Sequence, residues 1–88
     1  MNIEQICKDA IAVVESYLDS NVVVHYADIF AALCEAQDAV DDAWDESISH
    51  KSTRLCRLCR AAWQACIAAK TDDCDVAKEY VNKYWELV

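Results

Sequence analysis

The chain of 88 residues contains no glycine and no proline. An average chain of this length carries several of each. Glycine supplies the left-handed backbone of tight turns and helix ends at low cost. Proline fixes turns and stops helices. A sequence lacking both is poorly suited to a β-protein with many reversals. It suits a few long helices joined by Ser, Asn, Asp and Thr. The expected fold is therefore all-α: a compact antiparallel bundle of about four helices without a β-sheet, formed as a single domain over residues 1–88.

Apolar spacing places the helices. Ile3, Ile6, Cys7, Ala10, Val13, Val14, Tyr17 and Leu18 recur at three- and four-residue steps, predicting helix one over 2–19. Asn2 with Gln5 reads as a capping box. Asp19-Ser20-Asn21 is a break. The β-branched triplet Val22-Val23-Val24, with His25 and Tyr26, reads as a tight connection or the first turn of helix two, capped by Asn21 or Asp28. Helix two is expected to reach about Ser47, with Ile29, Leu33, Ala36, Val40, Ala43 and Trp44 inward. A second break covers 47–53. Helix three then runs from about Ser52 to Lys70 on Leu55, Leu58, Cys59, Ala62, Cys66 and Ala69, flanked by Trp63 and Ile67. Thr71 is the expected cap of helix four, with Asp72 and Asp73 in its first turn. That helix carries Val76, Ala77, Tyr80, Val81, Tyr84, Trp85 and Val88.

The formal net charge is −8, with sixteen acids against eight Lys and Arg. Such a balance argues against direct binding of nucleic acid and for a basic protein partner. No apolar run approaches the roughly 18 residues a membrane span needs. The start Met1-Asn2-Ile3-Glu4-Gln5 lacks the basic and apolar regions of a signal peptide. The expected location is the cytoplasm of the producing or infected cell, without membrane association.

Charge is unevenly distributed. From Asp28 to Glu46 there are seven acids and no Lys or Arg; from Lys51 to Arg60 there are four basic residues and no acid. On helix two Asp28, Glu35, Asp38, Asp42 and Asp45 or Glu46 recur at steps of seven, three and four, forming one solvent-facing ridge accompanied by Asp41. Neighbouring carboxylates on such a ridge stand about 5–6 Å apart. One reading is a row of negative charge that occupies a basic groove, as nucleic-acid phosphates do. The other is internal pairing across an antiparallel hairpin, with Asp45 on Arg54, Asp42 on Arg57 and Asp38 on Arg60. Exposed pairs of that kind contribute only about 0–1 kcal/mol each.

Six cysteines invite a disulfide framework. Small disulfide scaffolds are secreted and loop-rich, whereas these cysteines fall largely where an apolar residue is wanted, so reduced, buried thiols are expected. Cys56-Arg57-Leu58-Cys59 is a C-x-x-C without the βαβ context of a redox motif, and Cys66 and Cys74 follow at irregular gaps for zinc. Cys56, near the start of helix three with Arg60 at i+4, is the expected most reactive thiol. His25 and His50 lack partners at ligand spacing, no Ser/His/Asp arrangement can be inferred, and no glycine-rich loop exists to cradle phosphate. No catalytic residue, metal site or cofactor is assigned, and the chain is read as a non-enzyme. Tyr84 and Trp85 supply an aromatic edge suited to a protein interface.

In size, acidity and single-domain character the chain resembles the small acidic inhibitors encoded by phages and mobile elements, among them anti-CRISPR proteins and DNA mimics. The resemblance is one of composition and covers no particular stretch. It implies a stoichiometric inhibitor that docks on a basic surface of a nucleic-acid-binding protein or complex. The residues assigned to partner binding are Asp28, Glu35, Asp38, Asp41, Asp42, Asp45, Glu46, Tyr84 and Trp85. A second reading is a structural or assembly subunit that homodimerises through the helix-four aromatics. A third is a thiol or metal protein using Cys56, Cys59, Cys66 and Cys74.

Overall fold

In the computed structural model, which describes residues 2–19 and 26–88, the chain forms α1 (Ile3–Leu18), α2 (Tyr26–Ser49), α3 (Thr53–Lys70) and α4 (Cys74–Leu87). Among the described residues there is no strand. The expected connection at Val22-Val23-Val24-His25 and the alternative cap Asn21 lie outside the described residues. Tyr26 is the first residue of α2, so Asp28 sits in its first turn rather than at its cap.

Local chemistry sets the helix starts. The Asn2 side chain accepts from the Gln5 backbone N–H at 3.1 Å, which satisfies one orphan donor of α1. The reciprocal half of a capping box does not form, because the Gln5 amide donates to Asp9 at 2.7 Å. Ser52 caps α3 through the Leu55 N–H, and Asp73 caps α4 through the Val76 N–H, each at 3.2 Å. Asp73 thus takes the role expected of Thr71. The Thr71 hydroxyl instead donates backwards, to the Ile67 and Ala68 carbonyls in the last turn of α3, which also accept the Thr71 and Asp73 backbone N–H groups.

The two described turns solve the missing-glycine problem in the same way. Lys51 and Asp72 hold left-handed backbone, at φ 54° and 58°. After α2, the N–H of Lys51 reaches Ile48 O and that of Ser52 reaches Ser47 O. After α3, Asp72 N–H reaches Ala69 O and Asp73 N–H reaches Ala68 O. Both are Schellman closures, normally built on glycine. In each, the residue after the left-handed one is already the cap of the next helix, so two non-glycine residues turn the chain sharply.

The helices run up and down in a body of 39 × 23 × 18 Å. α1 and α3 each pack on the other three helices, α3 the more extensively, while α2 and α4 do not touch each other among the described residues. The composition of α3 explains its place. Leu58, Cys59, Ala61, Ala62, Ala65, Cys66, Ala68 and Ala69 are all buried, and the small side chains let three neighbours approach. Most of the larger core residues come from α1 and α2, with Ile11, Val14, Leu33 and Val40 fully enclosed, joined by Leu58 of α3 and Tyr84 of α4. Ile11 lies outside the predicted stripe of helix one yet is buried, because α1 meets α2, α3 and α4 and buries a broader face than one seam.

The break expected from Ser47 begins later, since α2 continues to Ser49. Ser47 is fully buried; its hydroxyl donates to Trp44 O at 2.6 Å and lies 3.2 Å from Cys56 Sγ. With its hydroxyl satisfied inside the helix, Ser47 serves as a small core residue rather than a turn former. Among the described residues, no helix is long and apolar enough to cross a membrane.

Candidate functional site

The acids of α2 occupy the face turned away from the core. At about 100° per residue, Asp28, Glu35, Asp38, Asp41, Asp42, Asp45 and Glu46 fall within roughly a 140° arc, opposite Ile29, Leu33, Val40 and Ala43. From Asp28 to Glu46 the row extends about 27 Å. All are exposed except Glu46, which is half-buried and meets His50 at 3.2 Å. None of the other six has an ion-pair partner among the described residues.

The pairing alternative read from the sequence does not form. Arg54 bonds Glu4 of α1 rather than Asp45. Arg57 and Arg60 meet neither Asp42 nor Asp38 and instead line a groove between α3 and α4. The reason is rotational. The α2–α3 seam is filled by Cys56 against Ser47, Trp63 against Trp44 at 5.9 Å, and Lys70 against Gln37 at 2.8 Å. These three α3 positions are seven residues apart and so share one side of the helix. Arg57 lies about 100° round from Cys56, toward α4. Carboxylates on the outer face of α2 cannot reach across a seam that thick.

Tyr84 and Trp85 separate in role. Tyr84 is 3% exposed and belongs to the core; Trp85 is 42% exposed and packs edge-on against it at 5.1 Å. Tyr84 therefore cannot anchor a partner directly, and burial also raises its phenol pKa. Trp85 remains available, beside the exposed Val88.

The thiols are all free. Cys7, Cys59 and Cys66 are buried, Cys34 and Cys56 half-buried, and Cys74 exposed. Cys7 and Cys59 touch across α1 and α3 with Sγ atoms 3.5 Å apart. The Cys7 thiol donates to Cys59, which holds Cys7 protonated, an effect burial reinforces. The same bond lowers the pKa of Cys59. Cys74 lies within 3.2 Å of the Tyr17 hydroxyl, which also donates to Asp72. Accessibility thus favours Cys74 over Cys56, the thiol expected to lead, because Cys56 faces the α2 seam and is tied to Ser47. Among the described residues no three His, Cys, Asp or Glu side chains are placed to share a metal ion.

The sequence reading missed the basic groove. Arg57 and Arg60 are three residues apart on α3, and Tyr80, Lys83 and Leu87 recur at three and four on α4. Both spacings were visible, but only the packing of α3 on α4 brings them together.

No family model, curated protein or solved structure matches the chain.

Proposed function

We propose that the protein is a small acidic binding module whose α2 face docks on a basic surface of another protein, most concretely as a stoichiometric inhibitor of a nucleic-acid-binding protein or complex in the cytoplasm. One observation carries this reading: Asp28, Glu35, Asp38, Asp41, Asp42 and Asp45 have no ion pair among the described residues. Six like charges on one helix raise the energy of the free protein and speed encounter with an oppositely charged surface. A rigid helix also holds the row in place without ordering a loop on binding. A basic groove that normally holds phosphates offers the complementary field.

The test uses the variant E35Q/D38N/D42N/D45N. A partner captured at low salt should lose its own nucleic acid when the wild-type protein is added. Because rim charges mainly steer encounter, the variant should associate much more slowly with little change in dissociation. Salt should weaken wild-type binding steeply, since the Debye length falls from about 10 Å at 0.1 M to about 3 Å at 1 M. A partner that binds the variant as fast as wild type would refute the reading for this face.

A homodimer is the second reading, favoured by the exposed Trp85 and by Val88, which is 63% exposed at the chain's end. Sedimentation of W85A beside wild type tests it. A dimer that persists in W85A would exclude this edge as the contact.

A further inference from the structure

The groove between α3 and α4 has the opposite sign from the rest of the surface. Three of the protein's eight Lys and Arg residues, Arg57, Arg60 and Lys83, line it together with Ala61, Tyr80 and Leu87. Its volume is about 240 Å³. Arg57 and Arg60 are exposed and have no ion pair among the described residues. Lys83 lies over the Tyr80 ring at 4.7 Å and meets Glu79 at 3.1 Å, so one carboxylate stands at the rim. Ala61 is buried, and with Tyr80 and Leu87 it makes the floor apolar.

We propose that this groove binds a small amphiphilic anion: a carboxylate or phosphate monoester on a short aryl or alkyl body. The two arginines, three residues apart on one helix face, present planar forks that match either headgroup bidentately. The Tyr80 and Leu87 surface takes the apolar body. The ligand's size is limited from above in two ways. The volume lies below the roughly 300–1,000 Å³ of drug-sized ligand sites. A long polyanion would meet the repulsion of a chain carrying −8, whereas a single small anion meets little of it. The site is separate from the acidic α2 face, because Arg57 and Arg60 pair with none of the α2 acids and α2 does not touch α4 among the described residues. It therefore stands or falls independently of the proposed docking.

Amide NMR titration of the full chain tests this with four probes: phenylbutyrate, phenyl phosphate, phenylbutanol and inorganic phosphate. The two amphiphilic anions should give saturable shifts confined to the backbone around 57–61 and 80–87. Phenylbutanol, which lacks the charge, and inorganic phosphate, which lacks the body, should each bind at least about tenfold more weakly. R57Q/R60Q should weaken both anions by about tenfold or more with unchanged helix content. If that double variant loses helix content, the exposed Lys83→Gln carries the same test. Comparable binding of phenylbutanol would reduce the groove to an apolar cleft, and comparable binding of inorganic phosphate would reduce it to bare charge. Either result overturns the proposal, as do shifts elsewhere, no shifts up to about 10 mM, or undiminished binding by the variant. The stronger of the two anions identifies the preferred headgroup.

Discussion

Mild oxidation should join Cys7 to Cys59 and lock α1 onto α3. Their sulfurs are already 3.5 Å apart in the core, and a bond requires about 2.05 Å, so they must approach by roughly 1.5 Å. The magnitude follows from the 52-residue separation of the two cysteines. Constraining a loop of that length removes unfolded-state entropy worth about 4 kcal/mol. That approach strains the core packing around the two cysteines, and a net gain of at least about 2 kcal/mol is expected after that strain. For a domain this small, that raises Tm by roughly 8–16 °C. The step is a thiol–disulfide exchange with glutathione disulfide. Cys59 attacks as thiolate and one glutathione thiolate leaves. Cys7 then attacks the mixed disulfide and the second leaves, so two electrons and two protons pass to the oxidant. Because both thiols are buried, the reaction proceeds through local opening and should be slow. The C34S/C74S variant suppresses intermolecular products. Non-reducing peptide mapping identifies the bond, and calorimetry before and after reduction reads Tm. A confirmed Cys7–Cys59 bond with unchanged or lower Tm would refute the entropy argument. A Cys56–Cys59 bond in its place would refute the geometry.

Lys51→Gly should stabilise the protein by about 0.5–1 kcal/mol in urea unfolding, since Lys51 holds left-handed backbone that glycine adopts freely. Asp72→Gly should gain less or lose, because the Asp72 carboxylate accepts from Tyr17. Alkaline pH should destabilise the fold. Burial, with a smaller contribution from Asp41 and against Lys70, pushes the Cys66 thiol from its ordinary 9.0 to about 12. A folded pKa above the unfolded one means the contribution is intact below pH 9 and is lost as pH rises toward 12. The loss is up to about 1.4 kcal/mol per pH unit. Cys7 and Tyr17 act in the same direction and Cys59 in the opposite one. Urea midpoints that do not fall between about pH 8 and 10.5 would contradict this. Native alkylation with mass mapping should label Cys74 before Cys56 and leave Cys7, Cys59 and Cys66 until unfolding. Early labelling of Cys56 would show that its contact with Ser47 opens readily.

Composition and spacing determined the helical class, because local backbone preference and apolar periodicity act within a few residues. The absence of glycine and proline, the stripes of α1 to α4, and the cap Asn2 are all of this short-range kind. Ser47 and Thr71 were misplaced for a related reason. A hydroxyl can bond forward as a cap or backward to a carbonyl, and its neighbours in space decide which. The outward face of α2 was legible too, since its acids lie opposite its apolar stripe. Whether those acids were paired was not. That depended on the rotation of α3 about its axis, which Cys56, Trp63 and Lys70 set by filling the seam with α2. The same rotation carried Arg57 and Arg60 to α4 and made a basic groove from residues some twenty positions apart in the chain. The split between buried Tyr84 and exposed Trp85, and the meeting of Cys7 with Cys59 across 52 positions, likewise belong to packing. Sequence periodicity says which side of a helix is apolar; only neighbouring helices, through the volumes they must fill, decide which of its polar residues meet.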